Sequence, residues 1–200
     1  MKSSSLYRLG GLALLIAAIL YAIGNLVYFL SGQPQAPTAL GLWLAFAGDS
    51  ILVLGLGALF ARQSERGGIL GLAGYVLLVL ATMFFIGNYA VNLGVAAGAF
   101  TTEQIAQVPF FTVAGSVMSW MWFAGLVAFG ISIYRAGVLP KYAGALLVLL
   151  AVVQQLIGLA GFLAPVFAVL SVASWAWLGW YLLAEKRSVA PDPALVAPVA

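Results

Sequence analysis

The stretch Trp43–Arg62, "WLAFAGDSILVLGLGALFAR", is apolar enough to cross a lipid bilayer, yet it contains a carboxylate, Asp49, near its middle. A hydrocarbon core about 30 Å thick is crossed by roughly 20 helical residues. An aspartate at the centre of such a helix costs about 2.5–3.5 kcal/mol on insertion scales. The stretch therefore predicts a membrane helix and singles out Asp49 as a residue whose presence needs a reason.

The composition extends the membrane prediction to the whole chain. Of the 200 residues, 64% are hydrophobic and 6% are charged, whereas soluble domains average about 25% charged residues. The absence of Cys and His excludes disulfides, zinc–thiolate sites and the usual haem ligand, and no cofactor or metal is predicted. Eight Lys and Arg spread along the chain do not form the basic patch of a nucleic-acid partner. The lipid bilayer is the predicted surrounding.

Six apolar stretches approach or exceed the length of a membrane span. They predict an all-α bundle of six transmembrane helices within residues 1–187, followed by a Pro- and Ala-rich cytoplasmic tail, residues 188–200. The predicted spans are residues 9–30, 39–61, 69–94, 111–134, 142–163 and 166–183. Little more than Pro165 separates the last two spans, so a tight hairpin is expected there.

The basic residues predict the orientation of the bundle. The connections "SGQPQAPT" and "TTEQIAQVP" contain no Lys or Arg, and every basic residue falls on the other side of the predicted spans. Cytoplasmic loops are enriched in Lys and Arg, so both termini are expected in the cytoplasm. The basic residues are Lys2, Arg8, Arg62, Arg66, Arg135, Lys141, Lys186 and Arg187.

Short internal matches suggest a repeat. "AIGNLVYFL" (Ala22–Leu30) resembles "FIGNYAVNL" (Phe85–Leu93), and "SWMW" (Ser119–Trp122) recurs as "SWAW" (Ser174–Trp177). Odd spans match odd spans and even spans match even ones, which is the pattern of three helical hairpins repeated in parallel orientation. Chance similarity among membrane helices, which share a small set of residue types, is the alternative.

Polar side chains inside the predicted spans form a candidate polar core. Because an unpaired polar group in a bilayer costs several kcal/mol, these side chains are expected to find one another. Three interpretations stay open: hydrogen bonds that hold the bundle together, a proton- or cation-coupled binding site, and contact with a partner subunit. We expect Asp49 to be neutral and hydrogen-bonded in the bundle interior. The candidates are Asp49, Asn25, Asn88, Asn92, Gln154 and Gln155.

Four tryptophans lie deep in the fourth and sixth predicted spans: Trp120, Trp122, Trp175 and Trp177. Aromatic rings at this depth are suited to line a site for a flat hydrophobic ligand such as a quinone or a carotenoid. Ordinary core packing is the alternative interpretation.

Three segments resemble an uncharacterised family of six-span bacterial membrane proteins, known only as a domain of unknown function. They are "YRLGGLALLIAAIL" (Tyr7–Leu20), "AFAGDSILVLGLGALFAR" with its Gly-Asp, and "IYRAGVLPKYAGALLVL" (Ile133–Leu149). The third contains the family-like pattern R-x-G-x-L-P-x-x-x-G as Arg135, Gly137, Leu139, Pro140 and Gly144. The resemblance implies a six-helix fold in a bacterial inner membrane and implies no activity.

Two classes of function fit the sequence, and neither is enzymatic, since no nucleophile–base pair or metal-ligand set is present. The first is an accessory or scaffold subunit of a larger membrane complex, which leaves open a bound lipid, quinone or pigment. Short loops and the lack of a soluble domain favour it. The second is a small transporter coupled to protons or cations through Asp49, which the polar core and the repeat favour.

Overall fold

The computed structural model describes residues 3–30, 38–157 and 161–184. Within these ranges the chain is helical and contains no β-strand, so the all-α prediction is confirmed. The helices are α1 (Ser3–Leu30), α2 (Ala39–Ala96), α3 (Thr102–Ala106), α4 (Pro109–Ala136), α5 (Lys141–Ile157) and α6 (Ala164–Ala184), with a 3-10 turn at Gly161–Leu163. The predicted tail, the residues 31–37 and three basic residues (Lys2, Lys186 and Arg187) lie outside the described residues.

Four of the described helices are long and apolar enough to cross a membrane: α1, within Ser5–Val27, and α2, α4 and α6. Helix α5 is apolar but has only 17 residues. Its predicted span continued to Leu163, where the structure has the 3-10 turn instead. Pro165 lies in the first turn of α6 rather than between two helices, which is tolerated because a proline there removes no helical hydrogen bond. Several long apolar helices are compatible with a membrane location.

Helix α2 is bent back on itself. Its 58 residues would extend roughly 87 Å if straight, but Gly68 has φ 57° and ψ −161°, a conformation that is essentially restricted to glycine. The bend separates a first arm, residues 39–67, from a second arm, residues 69–96. The rings of Phe60 and Tyr75 stack at 4.6 Å between centroids, so the arms pack side by side and antiparallel.

The described segments form a closed ring when the arms of α2 are counted separately. Helix α1 packs against α2 and α6, α2 against α4, α4 against α5, and α5 against α6. Helices α1 and α6 approach closely at Gly11 and Gly179. A Cβ added to Gly11 would lie 2.7 Å from the Gly179 carbonyl oxygen, and one added to Gly179 would lie 2.8 Å from the Gly11 carbonyl oxygen. Small residues at such points let membrane helices pack closely.

The described basic residues lie at one end of this ring, which we call the basic end. The Arg62 guanidinium lies 5.8 Å from the ring centroid of Tyr7 in α1. The Tyr181 hydroxyl of α6 donates to the Val138 carbonyl at 3.0 Å, and Val138 lines a surface depression together with Arg62. The start of α1, the bend of α2, the α4–α5 connection and the end of α6 therefore meet. The basic residues there are Arg8, Arg62, Arg66, Arg135 and Lys141.

The opposite end, which we call the distal end, carries α3. Thr101 caps this helix. Its backbone N–H donates to the Gln104 side chain, and the Gln104 backbone N–H donates to the Thr101 hydroxyl oxygen. Glu103 is exposed in the first turn. Hydrogen bonds from its own backbone amide and from the Thr101 side chain lower the pKa of the Glu103 carboxyl group. Glu103 is thus a surface anion remote from the basic end.

The residues of the R-x-G-x-L-P-x-x-x-G pattern build the α4–α5 connection. Gly137 adopts the left-handed conformation (φ 63°) that ends α4, and its N–H donates to the Ile133 carbonyl at 3.2 Å. Leu139 is buried, and Pro140 immediately precedes α5. Helix C-termini commonly end in this way, so the pattern has a structural role in this chain.

Candidate functional site

Asp49 is buried between three helical segments. It lies ten residues after Ala39 in the first arm of α2, about 15 Å along the helix, and its side chain is 3% exposed. The Tyr21 hydroxyl of α1 donates to Asp49 Oδ1, and Tyr89 of the second arm interacts with the same carboxyl group. Asp49 is therefore hydrogen-bonded in the bundle interior, and its hydrogen-bond partner is Tyr21 rather than one of the predicted amides.

A cavity of about 480 Å³ adjoins Asp49 and extends to Thr38 at the distal end. Thr38 is the N-cap of α2, where its side chain accepts from the Gly41 N–H at 3.1 Å. The cavity thus runs from the middle of the first arm to the start of that arm. Its lining comprises Leu20, Tyr21, Gly24, Asn25, Phe29, Thr38, Gly41, Leu42, Ala45, Asp49, Phe85, Tyr89, Trp122, Gln154, Ala164, Phe167, Ser171 and Trp175.

One wall of the cavity is aromatic. Trp122 of α4 and Trp175 of α6 are 7% and 1% exposed, and their ring centroids are 6.5 Å apart. Phe85 of the second arm meets Trp122 edge to face at 5.7 Å. Three segments therefore contribute rings to a continuous cluster that faces the same space as Asp49.

The other two predicted tryptophans lie elsewhere. Trp120 is 61% exposed and contacts Phe123 edge to face, and Trp177 is 40% exposed. Neither lines the cavity. The inward tryptophan is the second of the "SWMW" motif but the first of the "SWAW" motif, so matched positions face different surroundings. This difference gives no support to the hairpin repeat.

The predicted amides separate into two groups. Asn25 and Gln154 line the cavity. Asn25 Nδ2 donates to the Tyr21 carbonyl at 2.7 Å, whereas Gln154 Oε1 is buried without a hydrogen-bond partner in the described part of the chain. Asn88 and Asn92 hydrogen-bond to each other at 3.1 Å and do not line the cavity, and neither does Gln155.

The cavity lining is unbalanced in charge. Among the described residues that form it, Asp49 is the single acid, and no Lys or Arg is present. The described ranges also contain no group of three or more His, Cys, Asp or Glu that could hold a metal ion. The chemical groups that line the cavity are one carboxyl group, two phenols, the hydroxyls of Thr38 and Ser171, side-chain amides and aromatic rings. These groups can hydrogen-bond to a ligand and pack against it.

The tyrosines were missed by sequence reasoning. One residue separates Tyr21 from the first Ile-Gly-Asn triplet, and Tyr89 directly follows the second. The internal match was therefore a signal that could have drawn attention to both tyrosines. A second buried polar site was also missed, at the bend of α2. Gln63 is 1% exposed and neither atom of its amide has a partner among the described residues, and Ser132 of α4 donates to the nearby Gly67 carbonyl at 3.1 Å.

Comparison with known proteins finds no matching family model, curated protein or solved structure. The family resemblance of the three sequence segments therefore stays a prediction.

Proposed function

We propose that the chain is a non-enzymatic, six-span membrane protein that binds a small ligand in the Asp49 cavity. The observation that carries this proposal is a buried carboxyl group, hydrogen-bonded to Tyr21, at one side of a cavity of about 480 Å³ that Tyr89 also lines. Small-molecule sites fall in the range of about 300–1,000 Å³ and combine apolar walls with a few polar groups. The Asp49 cavity has both properties.

The six-span topology is supported by the two arms of α2 and by the ring. Each arm, residues 39–67 and 69–96, is long enough for one crossing, since about 20 residues suffice. Helix α5 with the following 3-10 turn provides the fifth crossing. We place the basic end on the cytoplasmic side of a bacterial inner membrane. Both termini are then cytoplasmic, and the cavity extends toward the external surface.

A role in transport fits this arrangement better than a purely structural role. A carboxyl group in a membrane interior costs several kcal/mol and is typical of ion and substrate pathways. If Asp49 served only to tie helices together, the space beside it would be expected to be filled by side chains, because protein interiors are closely packed. We therefore assign Asp49 as the coupling group of a small proton- or cation-coupled transporter.

An accessory role in a larger membrane complex is the second candidate, and Trp120 favours it. Trp120 is 61% exposed and lies eleven residues after the start of α4 at Pro109, roughly 16 Å along the helix. Tryptophan prefers the membrane–water interfaces, so an exposed one at mid-depth is suited to contact with another subunit.

Native mass spectrometry of protein purified from its membranes tests ligand binding. We expect the wild type to carry a small-molecule adduct that Asp49→Asn loses. Trp175→Phe should retain less of it, because the smaller ring leaves part of the wall unfilled. Glu103→Gln and Trp120→Phe serve as matched controls outside the cavity and should retain the adduct.

Identical adducts in all five proteins would contradict binding in the Asp49 cavity. The same spectra separate the two classes of function. Loss of a co-purifying protein in Trp120→Phe, with the adduct unaffected by Asp49→Asn, would favour the accessory subunit over the transporter.

A further inference from the structure

The Asp49 cavity has a negative group without a positive counterpart. Charged residues inside membranes are normally paired with one another or neutralised, and a buried charge without a partner is strongly unfavourable. The lining described above supplies the Tyr21 hydroxyl to Asp49, and includes Tyr89, but contains no Lys or Arg. A positive charge for this carboxylate must therefore come from a proton or from a bound cation.

The groups around Asp49 do not suit a bare divalent metal ion. Hard cations such as Mg²⁺ and Ca²⁺ take six or more oxygen ligands, several of them carboxylates. The described chain brings no second acid to Asp49. The space of about 480 Å³ also exceeds what a single ion occupies.

The aromatic wall supplies what an organic cation needs. Cations are attracted to the faces of Trp, Tyr and Phe, and the attraction is stronger where water is excluded. Trp122 and Trp175 are almost fully buried yet line the cavity, and Phe85 joins them. A carboxylate and a cluster of aromatic rings thus border one space.

We infer that the Asp49 cavity binds an organic cation with aromatic or other apolar substituents, of the quaternary ammonium, phosphonium or protonated amine class. This inference rests on the proposed ligand-binding function and adds the class of ligand. The cation and a proton compete for Asp49, so that uptake of one releases the other. No covalent step is involved.

The competition involves few other groups. The titratable side chains that face Asp49 are Tyr21 from α1 and Tyr89 from the second arm of α2. The parts of α4, α5 and α6 that line the cavity present Trp122, Gln154, Ser171 and Trp175 there, together with apolar residues, and no titratable group. The affinity for the cation is therefore expected to fall as pH falls, by up to about tenfold per pH unit when one proton is displaced per cation.

Equilibrium dialysis of the purified full-length protein in detergent tests the inference, with tetraphenylphosphonium as the probe. This cation has aromatic surface and a permanent charge, and triphenylphosphine oxide is a neutral compound of related shape. We expect saturable tetraphenylphosphonium binding that is at least about tenfold tighter than that of the neutral compound, since the charge contact is lost with the latter. Asp49→Asn should lose about tenfold or more in affinity, Asp49→Glu should recover part of it, and Glu65→Gln should match the wild type.

Each other outcome overturns a defined statement. Equal binding of the charged and neutral probes by the wild type contradicts cation selectivity, and this comparison needs no variant to fold. Asp49-dependent binding of a neutral probe such as decylubiquinone, without tetraphenylphosphonium binding, overturns the ligand class and leaves the proposed function standing. If no probe binds in an Asp49-dependent way and native spectra also show no Asp49-dependent adduct, both proposals fail.

Discussion

The carboxyl group of Asp49 is held by a side chain from another segment of the ring. The Tyr21 hydroxyl of α1 donates to it, and Tyr89 of the second arm of α2 lines the same cavity. A hydrogen bond to a charged group contributes about 1.5–3 kcal/mol. Tyr21 therefore orients the carboxyl group at the edge of the cavity.

We expect Tyr21→Phe to weaken tetraphenylphosphonium binding by roughly ten- to a hundredfold, because the carboxyl group loses a donor and its fixed orientation. Tyr75→Phe is the matched control, since Tyr75 stacks on Phe60 and does not line the cavity. Equilibrium dialysis measures both. Equal losses in the two variants would show a general effect on the bundle.

At this scale the sequence predicts the acid but not its partners. Asp49 stands out because charge is rare in a chain with 6% charged residues. Tyr21 and Tyr89 do not, because tyrosine is common in membrane helices and its position in sequence does not tell which way the hydroxyl group points. The same ambiguity separates Trp122 from Trp120: residues two apart on a helix point in very different directions, and only the packing of α4 decides which one is buried.

Among the elements, the bend of α2 depends on one residue. The backbone of Gly68 has a conformation that a Cβ makes unfavourable by about 1–3 kcal/mol. There is no steric obstacle, since nothing lies within 4 Å of an added Cβ at this position. Backbone conformation alone therefore makes glycine necessary there.

We expect Gly68→Ala to lower the thermal midpoint of unfolding in detergent. Gly87→Ala is the matched control in the same helix: an added Cβ there also meets nothing within 4 Å, and alanine favours a helix over glycine by about 1 kcal/mol. Gly87→Ala should therefore leave the midpoint unchanged or raise it. Circular dichroism during heating measures both, and equal midpoints would contradict a role for Gly68 in the bend.

The sequence predicts the apolar part of each element well and the connections less well. The predicted first connection on the basic end began after Ala61, yet the helix continues through the polar residues 62–67. Polar residues outside a bilayer can remain helical, because hydropathy reports the surroundings of a helix and not its end. Within the predicted fifth span, Gly161–Leu163 is apolar but forms a 3-10 turn and not a part of α5, which hydropathy does not reveal.

For the whole molecule, the ring places the bend of α2 and helix α3 at opposite ends. The sequence contains no cysteine, so a single introduced cysteine provides a unique labelling site. Ser64 near the bend and Thr102 at the start of α3 are both exposed. These two positions report the orientation of the bundle.

We expect a membrane-impermeant maleimide to label Thr102→Cys in intact spheroplasts, and to label Ser64→Cys only after lysis. The reason is the positive-inside rule, which places the basic end in the cytoplasm. The reverse pattern would contradict the proposed orientation. Labelling of both cysteines in intact spheroplasts would contradict the separate crossings of the two arms.

Hydropathy does not predict which helices are neighbours in the ring. Apolar residues lie on the outer surface of the ring as well as in its core, as the exposed Leu54 and the buried Leu56 show. The alternation of polar and apolar residues that separates the surface from the core in a helix of a soluble protein is therefore absent. Neighbours are instead set by close approaches at small residues, such as Gly11 with Gly179, which cannot be paired from sequence alone.

The contact between Gly11 and Gly179 also has a consequence for biogenesis. Proteins are synthesised from the N-terminus, so α1 is made before α6, and its glycine face stays uncovered until α6 is present. Trp175, which completes the aromatic wall, arrives with α6 as well. A nascent chain that stops before α6 therefore has Asp49 and both tyrosines but an incomplete cavity, and the proposed ligand is expected to stabilise only chains whose synthesis has passed the last helix of the ring.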